Sequence, residues 1–277
     1  WTVGADFAAK DRISTRNKVT FIVPLPKRYI EQIRQIPGVK ASNFANWFGG
    51  KDPQHEREFF ATLAVESSSF FAVYDEIVVK PDDKERWMQD RKGAIIGDVL
   101  ARKMGWKVGD TVTLQGSIYP GEWQFHIIAI YGVTRRVVDR STFFFHWDYL
   151  NESLPQDSRM RDQIGWINSR VSEAGRAAEI SQAIDKLFDD QEIQTLSMSE
   201  RAMNVSFLGM LSTVLKAIDI ISLVILAIMM LILGNTIAMG ARERTREFGV
   251  MRAIGFLPHH IAISVLAESL AVGALGG

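Results

Sequence analysis

Ile220-Ile-Ser-Leu-Val-Ile-Leu-Ala-Ile-Met-Met-Leu-Ile-Leu-Gly-Asn-Thr-Ile-Ala-Met-Gly-Ala241 is a run of 22 residues without a charge. A hydrocarbon core of roughly 30 Å takes about 20 apolar residues of helix, so the run is long enough to cross a bilayer. The competing reading is a helix buried in a large soluble core, but such helices are usually shorter. Residues 220–241 therefore predict a transmembrane helix. The run stops at Arg242-Glu-Arg-Thr-Arg-Glu247, with Arg252 close behind, and about two hundred residues of ordinary soluble character precede it.

Composition bounds the rest. The 277 residues suffice for one large domain or two modest ones, with charge dense before Lys216 and scarce after Arg252. Lys+Arg and Asp+Glu balance at 32 each, so no net charge draws the chain toward nucleic acid. Cysteine is absent, which excludes a disulfide framework and a thiolate zinc site. The chain opens on Trp1 with no signal-peptide pattern and ends inside an apolar run, so a piece trimmed at both ends is expected.

Along the chain, residues 18–25 read as a strand, and Pro26 opens a helix with Tyr29, Ile30, Ile33 and Ile36 at helical spacing, closed by Pro37-Gly38. Residues 39–47, 59–65 and 73–79 read as further strands, and 81–90 as a polar helix. Short strands with Gly turns follow: 93–96, 111–115 and 123–133, with a helical stretch over 98–104. Strands over 143–145 and 164–171, a helix over 173–188 and a strand over 193–196 complete the domain. The fold class expected is an α+β extracytoplasmic domain of two β-α-β halves with an inserted strand-rich subdomain, followed by transmembrane α-helices. The boundaries are 1–75 and 142–196 for the two halves and 76–141 for the insertion. A stalk helix (197–219), a transmembrane helix (220–241), a cytoplasmic segment (242–260) and the start of another span (261–277) follow.

Ser197-Met-Ser-Glu200 has the form of a capping box, which marks a helix start. Met203, Phe207, Met210, Val214 and Ile218 then recur at helical spacing, a stripe that must be covered by the chain's own domain or by a second copy. Arg201 and Lys216 precede the span, whereas Arg242, Arg244, Arg246 and Arg252 follow it. Basic flanks favour the cytoplasm, which places residues 1–219 outside. The segment after the span interleaves Phe248, Met251, Ile254 and Phe256 with charges, so it reads either as a solvated headgroup helix or as a docking element for a cytoplasmic partner. Asn235 lies inside the first span and Glu268 midway in the second, where an acid is costly and is expected to face a partner helix or water.

The run Asn235-Thr236 … Ala241-Arg-Glu-Arg-Thr-Arg-Glu-Phe-Gly-Val-Met-Arg-Ala-Ile-Gly255, with Glu268-Ser269, resembles the FtsX-like permease signature of MacB-type ABC transporters. Upstream, Ile36-Pro-Gly-Val39 and Ile96-Gly-Asp-Val-Leu-Ala101 … Gly105 … Val108-Gly-Asp-Thr-Val112 look like the MacB-like periplasmic core domain. The resemblance implies a permease in the bacterial inner membrane that works as a homo- or heterodimer with an ABC ATPase, in some members with a periplasmic adaptor and outer-membrane channel. It implies that Arg242, Glu243, Arg244, Arg246, Glu247, Phe248, Gly249, Arg252 and Gly255 contact the ATPase. The long helix then carries ATPase-driven closure outward, the mechanism called mechanotransmission.

No Gly-x4-Gly-Lys-Ser/Thr occurs, so the chain holds no nucleotide site; ATP and magnesium belong to the partner, and no cofactor, catalytic residue or metal is assigned to this chain. His55, His126 and His146 are scattered, and no Gly-x-Ser-x-Gly elbow is present. A membrane-anchored sensor or a regulator of cell-envelope enzymes is the alternative, disfavoured because the apolar pattern resumes within about 20 residues of the first span.

Overall fold

Phe143, Phe144 and Phe145 are all buried, which a strand permits only when both of its faces are covered. Phe143 and Phe145 join one apolar cluster and Phe144 another. The same alternation sends Ala94 and Ile96 to the first cluster and Ile95 to the second. The sheet is thus a central layer with helices on either side. The computed structural model describes residues 8–135 and 138–276, with the side chains at 208, 210–214, 241, 268–269 and 272–276 left out of the description.

In chain order the elements are β1 (Arg12–Asn17), β2 (Leu25–Pro26), α1 (Tyr29–Arg34), β3 (Val39–Trp47), β4 (Gly50–Lys51) and β5 (Thr62–Val65). Next come α2 (Ser67–Val73), β6 (Ile77–Val78), α3 (Pro81–Gln89), β7 (Gly93–Gly97), α4 (Asp98–Met104), β8 (Thr111–Gly116) and β9 (Glu122–Val133). They are followed by β10 (Phe143–His146), α5 (Trp147–Ser153), β11 (Gln163–Ile164), β12 (Trp166–Val171), α6 (Ala177–Leu187) and β13 (Thr195–Ser199). Three helices close the chain: α7 (Glu200–Glu243), α8 (Thr245–Ala253) and α9 (Pro258–Gly276).

The main sheet runs β13-β1-β12-β3-β5-β10-β7-β9-β8-β4, with β6 beside β9. Among the described residues, parallel pairing is confined to β5–β10 and β7–β9. Helices α1, α4, α5 and α6 supply the first cluster, and α2 and α3 the second, through Phe70, Val73 and Trp87. Phe48 is wholly buried and sits edge-on to Trp123, Phe125 and Phe145, so strands far apart in sequence share one aromatic core. The chain divides into two compact units, one ending at Met210 and the other beginning at Leu211.

The mixed α/β domain agrees with the fold class expected, but four details differ. The first strand is Arg12–Asn17, not residues 18–25. It lies between β12 and β13, and its polar side chains are buried with partners, while Val19 and Ile22 of the apolar run are exposed. Of the stretch expected as a strand over 73–79, Ile77–Val78 form β6, but Val73 closes α2, whose Phe70 and Val73 face the core at helical spacing. The stalk helix starts at Glu200, not Ser197. Ser197 pairs in β13, its hydroxyl bonded to that of Thr15 (2.8 Å) and its N–H donating to Asp185 (3.0 Å), and Ser199 Oγ accepts from the Ala202 N–H. The strands of the inserted segment 76–141 are continuous with the rest, because β7 pairs directly with β10.

Candidate functional site

In the unit from Leu211 onward, the apolar span covers Leu215–Gly240, among the described residues the one helix long and apolar enough to cross a membrane. It starts five residues before the expected Ile220 and so takes in Lys216 and Asp219, long or end-placed polar groups that can reach the interface. Asn235 is exposed on α7. The Glu268 side chain lies outside the described residues.

The segment assigned to ATPase contact forms the end of α7, the joint at Arg244 and all of α8. Arg242, Glu243, Arg244, Arg246, Glu247, Gly249 and Arg252 are exposed, whereas Phe248 and Met251 are half-buried. Glu247 in the first turn of α8 and Arg252 in the last complement the helix dipole. A Cβ at Gly249 would meet nothing within 4 Å among the described residues. Since glycine weakens a helix by about 1 kcal/mol relative to alanine, packing within this unit gives no reason for it. Gly255 is different. Its φ is +107°, and it ends α8 with two hydrogen bonds: Gly255 N–H to Arg252 O (3.1 Å) and Phe256 N–H to Met251 O (3.0 Å). This is a Schellman turn, which ends α8 just ahead of Pro258, the first residue of α9.

In the unit up to Met210, the root of α7 is held by buried charge. The Glu200 carboxylate accepts from Ala9 N–H (2.7 Å) and Arg12 Nε (3.0 Å). Arg12, fully buried, also donates through Nη1 to Glu76 (2.8 Å) and to Val73 O (3.2 Å). Glu76 is completed by Arg135 at 3.3 Å and faces Arg170, which binds Asp11 (2.7 Å) and Asp75 (2.6 Å). Tyr74 lies 4.7 Å from the Arg12 guanidinium, and burial pushes its hydroxyl up to about 12. Burial also raises the Glu200 carboxyl above the ordinary glutamate range, with Arg12 pulling against it. The cluster therefore ties the first residue of α7 to β1, β12 and the turn after α2.

Of the stalk stripe, Met203 is buried and Phe207 meets Phe21 edge-on at 5.7 Å, while Ile218 is half exposed. Met210 and Val214 have side chains outside the described residues. Met203 and Phe207 line a cleft of about 1300 Å³ whose other walls include Trp47, Phe59, Leu63, Ile118, Met160 and Trp166. Its polar lining includes Arg12, Ser14, Asn168 and Glu200. Neither this cleft nor the Arg12 cluster is visible in the sequence, because Glu76 and Glu200 lie 64 and 188 residues from Arg12 along the chain.

The upstream motifs also acquire reasons. A Cβ on Gly97 would lie 1.9 Å from the Arg140 carbonyl oxygen, so only glycine fits there. The next residue, Asp98, binds the Arg140 side chain through Nε at 2.6 Å and again through Nη2. Those bonds, helped by Arg102 and opposed by burial, hold the Asp98 carboxyl down to about 2.

Residues 220–277, which contain the apolar span, α8 and the Gly255 turn, match the family described as FtsX-like permease C-terminal. The chain is also a homologue of an ABC transporter permease: an uncharacterized one from Methanocaldococcus jannaschii is 24% identical over 264 residues, or 91% of this chain. The chain spans 62% of the length of that relative. Among solved structures, the extracellular domain of the noncanonic ABC-type transporter YknZ from Gram-positive bacteria aligns with a TM-score of 0.49 at 11% identity. That alignment covers 68% of this chain and 100% of that one. The periplasmic region of MacB from Actinobacillus actinomycetemcomitans aligns at 0.47 and 10%, covering 74% and 95%. The FtsX-like region and the apolar helix fit an inner-membrane protein with an extracytoplasmic segment.

Proposed function

We propose that the chain is a permease subunit that couples ATP hydrolysis by a partner ATPase to movement of its extracytoplasmic unit, for export or extraction of a substrate. The observation that carries this reading is α8: exposed Arg246, Glu247 and Arg252 around a glycine that its own unit does not require, inside the FtsX-like region. Arginine forks suit carboxylates on a partner, and a bare helix surface at Gly249 lets another backbone approach closely. The charge asymmetry across the span supports a cytoplasmic α8, since Arg242, Arg244, Arg246 and Arg252 all follow it. The Arg12–Glu200 cluster gives α7 a fixed hold on the sheet, as a helix that transmits force needs. Dimerisation with a second permease copy belongs to the same reading, and ATP with magnesium would be bound by the partner.

The test is charge reversal at Arg246 and Glu247 together. The double variant is expected to lose co-purification with the ATPase and substrate-dependent ATP turnover while its outer unit stays folded. Retention of the ATPase with full function would sink the docking assignment. Gly249 supplies an independent arm: G249A should leave α8 intact or firmer, by up to about 1 kcal/mol, while G249L should block coupling.

A further inference from the structure

The cleft lined by Met203 and Phe207 lies wholly within the unit ending at Met210. Several apolar side chains of its lining are exposed: Ile22 (83%), Phe59 (78%), Ile118 (43%) and Met160 (40%). Trp47 stacks on Phe59 with ring centroids 6.3 Å apart, so part of the wall is a flat aromatic surface. A concave space of about 1300 Å³ is on the scale of small-molecule sites, which usually take about 300–1,000 Å³, whereas a folded partner needs a broad face.

The polar part of the lining is incomplete at one place. Arg12 Nε and Nη1 are satisfied by Glu200, Glu76 and Val73 O, but Arg12 Nη2 is buried without a hydrogen-bond partner. Both bonds to the Glu200 carboxylate, from Ala9 N–H and Arg12 Nε, fall on Oε2. Among the described residues Oε1 receives none, and the Glu200 side chain is 13% exposed. The neighbouring polar groups are engaged elsewhere: Ser14 Oγ donates to Asn168 Oδ1 (2.6 Å), and Asn168 Nδ2 donates to the Tyr74 hydroxyl. A buried donor left open in an otherwise satisfied cluster calls for a cause.

The chemistry of that gap selects a ligand. A carboxylate accepting from Arg12 would stand against Glu200, and an ammonium donating to Glu200 would stand against Arg12. A hydroxyl does both, accepting from Nη2 and donating to Oε1, and adds no charge. The lining as a whole sets Arg12 and Arg140 against Glu200 and Asp139, so no net charge calls for an ion. Arg140 is in addition held by Asp98 through Nε and Nη2.

We infer that the cleft binds an uncharged amphiphile, with its hydroxyl head between Arg12 and Glu200 and its apolar body against walls such as Trp47, Phe59 and Phe207. Because Nη2 is buried, a small turn of the guanidinium accompanies binding. The ligand would touch the first turns of α7 through Glu200, Met203 and Phe207. Binding needs no ATPase, so it stands apart from the docking assigned to α8.

The test uses the full chain in phosphatidylcholine nanodiscs and dodecyl photoprobes that share a mid-chain diazirine and differ in the head: hydroxyl, carboxylate or ammonium. Adducts are mapped by peptide mass spectrometry, and each probe's labelling of the cleft is scaled to its own adducts with the lipid. The hydroxyl probe should label Trp47, Phe59, Ile118 or Met160 saturably. It should exceed the other probes there by about fivefold or more, the low end of what leaving a buried polar group unpaired costs. I118W, at an exposed wall position, should lower that labelling by about the same factor with the melting curve unchanged. E200Q, which removes the acid, should narrow the margin over the carboxylate probe. Equal labelling by all heads, a preference for a charged head, or an unchanged margin in folded E200Q overturns the hydroxyl assignment. Cleft labelling that is absent, unsaturable or indifferent to I118W in folded protein overturns the site itself, in favour of a protein neighbour on the apolar rim.

Discussion

Arg12 opens β1, one strand in from the edge of the sheet, wholly buried, and is tolerable there only because Glu76 and Glu200 face it. Removing one member of such a group leaves an uncompensated charge, which costs about 3–5 kcal/mol. R12M and E76M should each lower stability by that order, and the double variant should cost clearly less than the sum, measured by denaturant unfolding of the outer unit. Asp98 gives a prediction in pH. Its carboxyl is lowered to about 2 from an ordinary 3.8, so the folded state releases its proton more readily than the unfolded chain does. The resulting stability is fully present above about pH 4 and is lost as pH falls through about 2. D98N should flatten that part of the acid-stability curve; an unchanged curve would mean that the Arg140 contact contributes nothing. Gly97→Ala, whose Cβ would strike the Arg140 carbonyl, should cost about 3 kcal/mol or more, read as a loss of folded protein.

At the scale of elements, the α8–α9 turn depends on a left-handed residue at Gly255. G255V should cost about 1–3 kcal/mol locally and weaken coupling; amide exchange over residues 245–256 would report the loosening. Elements built from local patterns were legible. Val39–Trp47 and Asp98–Met104 fall where alternation and helical spacing place them. β1 was not legible, because Arg12, Ser14 and Thr15 are made fit for burial by partners distant in sequence: Glu76, Asn168 and Ser197. The apolar run beside it misled for the complementary reason, since Val19 and Ile22 are left mostly exposed. The same contrast divides the candidate sites. The α8 residues are contiguous and readable as a motif, whereas the grip on Glu200 is assembled by topology.

For the outer unit as a whole, the decisive contact is the β7–β10 pairing, which makes one sheet of strands that sequence order separates. The aromatic core crosses the same seam: Phe48 from the loop after β3 and Phe143 and Phe145 from β10 pack with Phe125 from β9. A subdomain with its own core would unfold in its own step. A shared core predicts one cooperative transition, because losing β8 and β9 would strip Phe48 and Phe145 of cover worth about 1.5–3 kcal/mol per ring. Hydrogen exchange on the whole protein in denaturant should therefore show β3, β9, β10 and β12 losing protection together. Release of β8 and β9 well before β3 and β12 would show that the insertion has a separate stability, and that a force arriving through Glu200 could reach β1 without disturbing the far end of the sheet.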